Sequence, residues 1–104
     1  MILLPISPSD KEAVRQLYLE SFPEHERVPP EKLEAHLLRG DAEWLGIYDD
    51  GFRGMVYLLF NQDVLFILYL AVDPSSRDMG YGSSAIEAVL ERHPGRKTYL
   101  NIEP

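Results

Sequence analysis

The sequence predicts one α/β (α+β) domain spanning residues 1–104, with elements in the order β-α-α-β-β-β-α-β. Three observations predict it. Short apolar runs rich in branched and aromatic residues, above all Val64 to Val72, read as strands. Asp49-Asp50-Gly51 and Asn61-Gln62-Asp63 separate such runs with turn chemistry. Apolar residues at helical spacing follow Ser9, Pro30 and Gly82.

Ile2 to Ile6 is the first strand. Ser7-Pro8-Ser9-Asp10 then opens a helix, with Ser9 as N-cap and Glu12 completing a capping box. Ala13, Leu17, Tyr18 and, less regularly, Val14 and Phe22 give that helix its apolar face, and Pro23 ends it. Glu24-His25-Glu26-Arg27 is a polar connector. Pro29-Pro30 starts a second helix, Glu31 to Arg39, which Gly40 closes. Trp44 to Tyr48 and Phe52 to Phe60 form a hairpin about Asp49-Asp50-Gly51, with Gly54 marking a bulge or a close approach. Val64 to Val72 is the next strand. Ala85, Ile86, Val89 and Leu90 give a third helix its periodicity through Arg92, His93-Pro94-Gly95 stops it, and Thr98 to Ile102 is the last strand.

Composition narrows the function. The 104 residues allow one modest core, and hydrophobic residues make up 45% of them, enough to fold. No cysteine is present, which excludes disulfides, thiolate metal sites and acyl-cysteine chemistry. His25, His36 and His93 share no ligand spacing, so no metal is expected. Met1 to Pro5 lacks the basic flank and length of a signal peptide, and Val64 to Val72 is too short to span a bilayer. A cytoplasmic protein without a membrane partner is expected. The net charge of −7 argues against nucleic acid. Residues 1–50 hold eleven acidic against five basic side chains, and residues 51–104 six against five. This excess reads either as a solvated helix surface or as a mild preference for a cationic acceptor such as an amine.

The most informative stretch is Leu70-Ala71-Val72-Asp73-Pro74-Ser75-Ser76-Arg77-Asp78-Met79-Gly80-Tyr81-Gly82-Ser83. A strand, a tight loop and a helix with glycines in its first turn form a receptor for anions, because the first helical N–H groups lack internal partners. It is not a P-loop, since no Lys follows Gly82, and it meets the dinucleotide fingerprint only if Ala85 replaces the last glycine. Arg77-x-x-Gly80-x-Gly82 after a strand ending Ala71-Val72-Asp73-Pro74 resembles motif A of the GNAT superfamily of acyl-CoA-dependent N-acetyltransferases. The element order is similar to the first two thirds of that fold, a mixed and mainly antiparallel sheet. The family pattern continues with a further helix and two strands, so the resemblance places these residues as the N-terminal and central part of a GNAT-like domain lacking the C-terminal third.

The resemblance implies acetyl-CoA as co-substrate and an amine of a small molecule or peptide as acceptor, attacked directly in a ternary complex. It implies that backbone groups of Leu70 and Val72 pair with the pantetheine arm, and that an N–H near Leu70 or Ala71 polarises the thioester carbonyl. N–H groups of Asp78, Met79, Gly80, Tyr81, Gly82 and Ser83 would hold the pyrophosphate, with Arg77 helping to place it. Many relatives carry a Glu base on the strand before the loop. Here Phe66 stands near that place, and the strand has no carboxylate. The base then comes from elsewhere or a water relay does the work; Glu26 and Glu24, in the connector that borders the family's acceptor site, are the candidate bases, and each also reads as a solvated loop charge. Arg27 would bind an acceptor carboxylate or pair with Glu24. Tyr69, alternating with Leu68 and Leu70, is expected to pack in the core, and Tyr81 at the cleft mouth. Asn101 and Glu103 could face the acceptor. The competing reading is a non-catalytic or fragmentary CoA-binding module. An uncovered last strand leads us to expect a homodimer through the C-terminal region.

Overall fold

The computed structural model describes residues 1–100. Five strands, β1 (Ile2–Pro5), β2 (Ala42–Tyr48), β3 (Phe52–Phe60), β4 (Val64–Val72) and β5 (Lys97–Leu100), lie side by side in sequence order. The first four are antiparallel; β5 runs parallel to β4. Tight turns join β2 to β3 and β3 to β4, two other helices lie between β1 and β2, and the parallel step needs a crossover, which α3 (Tyr81–Arg92) supplies. The expected element order is the observed one.

Alternation along the strands divides the core in two. On one face α3 lays Tyr81, Ala85 and Val89 over Leu45, Ile47, Val56, Leu58, Leu65 and Ile67. On the other, α1 (Lys11–Ser21) and α2 (Pro30–Arg39) lay Val14, Leu17, Tyr18 and Leu33 over Met55, Tyr57, Tyr69 and Ala71. With both faces covered, β3 and β4 read as nearly continuous apolar runs. Each fully buried Leu, Ile or Met contributes about 1.5–3 kcal/mol. Among the described residues no helix is long and apolar enough to cross a membrane.

Several local expectations are corrected. Ser9 does not cap α1: its hydroxyl pairs with that of Ser7 at 3.0 Å, and a 3-10 turn over Pro8–Asp10 leads into a helix with no side-chain capping bond. The Asp10 carboxylate instead accepts the Tyr48 hydroxyl at 2.8 Å, tying the start of α1 to the end of β2. Ala13 and Leu90 lie outside the apolar faces and are exposed, because the buried stripes run through Val14, Leu17 and Tyr18 and through Tyr81, Ala85 and Val89. Gly54 fulfils both of its expected roles. It adjoins a bulge where β3 carries one more residue than β2, and a Cβ there would lie 2.5 Å from the Ala71 carbonyl oxygen. The expected continuation of the last strand to Ile102, and the candidates Asn101 and Glu103, lie outside the described residues.

Candidate active site

The site begins at a bulge in β4. Tyr57 pairs with Tyr69 but Leu58 pairs with Ile67, leaving Leu68 as the extra residue. Leu68 and Tyr69 therefore pack on the same side of the sheet, toward α1 and α2, and the expected alternation of Tyr69 with Leu68 fails there. The described part of β5 pairs with β4 from Val64 to Ile67. From Leu68 to Val72, β4 has no strand on that side among the described residues.

The loop that follows is tightly organised. Asp73 accepts the Ser75 N–H at 3.1 Å and the Ser75 hydroxyl, which closes a 3-10 turn over Pro74–Ser76. Asp78 (φ 65°) and Gly80 (φ 80°) are left-handed, and Gly80 is the N-cap of α3. An Asp tolerates this backbone better than most residues, and Gly carries no penalty. The first main-chain bond of α3 runs from the Ser84 N–H to the Gly80 carbonyl at 3.0 Å. The N–H groups of Tyr81, Gly82 and Ser83 are thus left at the positive end of the helix. A Cβ at Gly82 would meet nothing within 4 Å, so the space before these donors is open.

These parts enclose a cleft of about 510 Å³. Leu70, Ala71 and Val72 form one wall, and Arg77, Asp78, Gly80, Tyr81 and Gly82 the end with the helix N-terminus. Of the residues expected to hold the cofactor, only Met79 and Ser83 lie outside its lining, and both side chains are exposed. Arg77 is exposed and its Nε donates to the Val72 carbonyl at 3.2 Å, clamping the strand end to the loop. Ser21 and Phe22, at the end of α1, make a wall that sequence reasoning missed; nothing local in Ser21-Phe22-Pro23 distinguishes it from an ordinary helix end. A second groove of about 530 Å³, floored by Val14, Leu37 and Trp44, lies between α1 and α2 and shares none of this loop.

Tyr81 lines the cleft and also belongs to the core under α3, where it is buried, and its hydroxyl donates to Asp49 of the β2–β3 turn at 2.7 Å. That hydrogen bond, with burial and the Asp49 charge, raises the hydroxyl above its ordinary ionisation range. Arg53 completes the tie, donating to the Asp49 carbonyl at 2.7 Å and to the buried Ser76 hydroxyl at 3.4 Å. Asp49 and Arg53 thereby brace the loop from behind.

The connector, a 3-10 turn over Glu24–Glu26, is held by tyrosines. The Tyr69 hydroxyl donates to the Glu26 carbonyl at 2.9 Å and accepts the Val28 N–H at 3.0 Å, and the Tyr18 hydroxyl donates to the Val28 carbonyl at 2.6 Å. Burial, followed by the neighbouring Tyr69, pushes the Tyr18 hydroxyl far up; burial and then Asp41 push that of Tyr57 to about 12. Tyr69 packs as expected and is already committed through both functions of its hydroxyl. Arg27 does not pair with Glu24: its Nη1 donates to the Leu19 carbonyl at 3.0 Å. The Glu24 and Glu26 side chains are exposed, and neither lines the cleft. Among the described residues no three His, Asp or Glu side chains converge as a metal would require.

Comparison with known proteins bears on this geometry. Residues 11–104 match the family model of the acetyltransferase (GNAT) family. The chain belongs to the GNAT family. A protein from Bacteroides thetaiotaomicron described as a GNAT acetyltransferase is 27% identical with a TM-score of 0.83; all of the present chain aligns, covering 61% of that one. This GNAT chain therefore spans less than two thirds of that protein's length. An acetyltransferase from Trypanosoma brucei is 19% identical with a TM-score of 0.75, over 98% of this chain and 82% of its own. An N-acetylglutamate synthase from Neisseria gonorrhoeae, solved with coenzyme A and N-acetyl-glutamate, is 22% identical with a TM-score of 0.61, over 90% of this chain and 22% of its own. A search of curated proteins found no significant match.

Proposed function

We propose that this GNAT domain binds acetyl-CoA in the cleft between β4 and α3 and serves an N-acetyltransferase acting on a small-molecule or peptide amine. The observation that carries the reading is the convergence on one open cleft of a β4 stretch with no strand partner among the described residues and of the helix N-terminus at Tyr81 and Gly82. The residues fit the ligand: an extended amide arm suits the Leu70–Val72 edge, and a pyrophosphate suits the donors of Tyr81, Gly82 and Ser83. Arg77 stands at the same end as an additional cation.

Acetyl-CoA supplies the acetyl group as a thioester, and an unprotonated amine nitrogen is the acceptor. The chain must orient the ligand, remove a proton from the amine and exclude competing positions. Leu70–Val72 and the loop serve the first task. Glu26 is the candidate base, with Glu24 as its alternate; supporting Glu26 is the hydrogen bond between its carbonyl and Tyr69, the residue beside Leu70. Two-fold association through the C-terminal region belongs to the same reading, supported by the half-exposed Tyr99 and Leu100 on β5. Light scattering tests that association. Calorimetric titration with CoA tests the central assignment: one-to-one binding is expected, and no binding to the folded protein overturns it. A chain that binds CoA yet releases no thiol from acetyl-CoA with any of a panel of amines supports the CoA-binding module instead.

A further inference from the structure

Tyr69 occupies an unusual position between the two halves of the site. Its backbone immediately precedes Leu70, where the cleft wall begins. Its ring lies 4.8 Å from that of Phe22, the opposite wall, and 4.9 Å from Tyr18. Its hydroxyl joins the Glu26 carbonyl and the Val28 N–H, more than forty residues away in sequence. Tyr69 is only 6% exposed and both bonds are part-buried, which limits competition from water. The Leu68 bulge makes this possible, because it turns Tyr69 toward α1 instead of continuing the strand's alternation.

We propose that Tyr69 is a positioning residue that couples filling of the cofactor cleft to ordering of the Glu24–Val28 connector. The inference rests on the reading of the cleft as a CoA site. A ligand seated in that cleft presses on Leu70 and Phe22, the covalent and the packed neighbours of Tyr69. Restricting both neighbours restricts the Tyr69 ring, and with it the hydroxyl that holds the Glu26 and Val28 peptide groups. The connector carries the candidate bases, so cofactor binding sets their reach before an acceptor arrives. A side chain that only packed the core would hold the connector equally well with the cleft empty or full. The coupling is a population shift and is measurable as amide protection.

The test is hydrogen exchange on the whole 104-residue chain, with CoA as the probe and calorimetry reporting its binding. In the native sequence, saturating CoA slows exchange of the Val28 amide by about tenfold or more. In Tyr69→Phe, which keeps the ring and removes the hydroxyl, Val28 exchanges at least about tenfold faster without CoA. CoA still binds that variant but no longer protects Val28, while the amides of β3 remain protected. Tryptic cleavage after Arg27 follows the same pattern. Bound CoA with unchanged Val28 exchange in the native protein overturns the coupling, and that arm stands even where the variant does not fold. CoA-dependent protection that persists in Tyr69→Phe also overturns it. No CoA binding by the native protein is a different outcome, and sinks the functional reading together with the inference.

Discussion

Gly54→Ala is the sharpest probe of how the cleft wall is built. A Cβ at this position falls 2.5 Å from the Ala71 carbonyl oxygen and 3.0 Å from the Val72 Cα, where ordinary contact begins at 3.4 Å. Both neighbours are backbone, so neither can swing aside, and the end of β4 must shift by about 0.9 Å. Overpacking of this kind destabilises by about 1–3 kcal/mol. In a domain of this size each kcal/mol lowers the melting temperature by about 4–8 °C. The displaced segment is the one proposed to pair with pantetheine. Losing one or two backbone hydrogen bonds, each worth about 0.5–1.5 kcal/mol, weakens CoA on the order of tenfold. Thermal melting by circular dichroism and calorimetric titration with CoA read the two effects. Gly95→Ala, where a Cβ meets nothing within 4 Å, is the matched control and should stay near wild type in both. Melting and CoA affinity indistinguishable from that control would refute the close-approach argument.

Gly82→Glu should abolish CoA binding in calorimetry and leave the melting temperature within a few degrees, since the new side chain meets no protein atoms yet sets a negative charge before the free N–H groups; unchanged affinity removes the phosphate assignment. Gly80 serves less well as a probe, because its left-handed backbone adds strain for any side chain. Glu26→Gln should lower thiol release with amine acceptors strongly at neutral pH, with partial recovery at higher pH and unchanged CoA affinity; if Glu24→Gln shows the loss instead, the role moves by two residues. Burial raises the Glu43 carboxyl, but hydrogen bonds from Arg92 (2.6 Å) and His93 (2.8 Å) and their charges outweigh it and bring its ionisation below the ordinary 4.5. Its stabilisation is therefore complete above pH 4.5 and lost as pH falls through the lowered folded value, so Glu43→Gln should flatten the fall in stability below pH 4.5 seen in denaturant titrations.

The sequence revealed the scaffold more fully than the chemistry, for a physical reason. Strand β4 coincides with the run Val64 to Val72 because both its faces are buried and its turns are polar. The loop was legible because its function lies in backbone geometry, and left-handed or closely approached positions such as Gly80 and Gly54 demand glycine. Ser9 misled because a capping hydroxyl can choose a partner, and here it pairs with Ser7. Tyr69 and Tyr81 were placed only roughly, since a bulge at Leu68 and a turn carboxylate at Asp49 decide where their hydroxyls go. Such long-range pairings leave no periodic trace.

Phe66 shows where that distinction matters for function. It occupies the stretch of β4 where the family pattern puts a carboxylate, yet its ring is 40% exposed and stacks on Tyr99 of β5 at 5.6 Å and 27°. An aromatic ring accepts no proton, so any base in this chain has to arrive from off the strand. The connector is the element that the fold ties to the sheet beside Leu70, through Tyr69 and Tyr18, and it is fastened by its main chain, leaving the Glu24 and Glu26 side chains free in solvent. Fixed backbone with free carboxylates suits a base that reaches over a ligand already in place. The absence of a carboxylate from β4 and the clasp on the connector are thus two sides of the proposed arrangement, in which the proton-accepting group belongs to a tethered turn and not to a rigid strand.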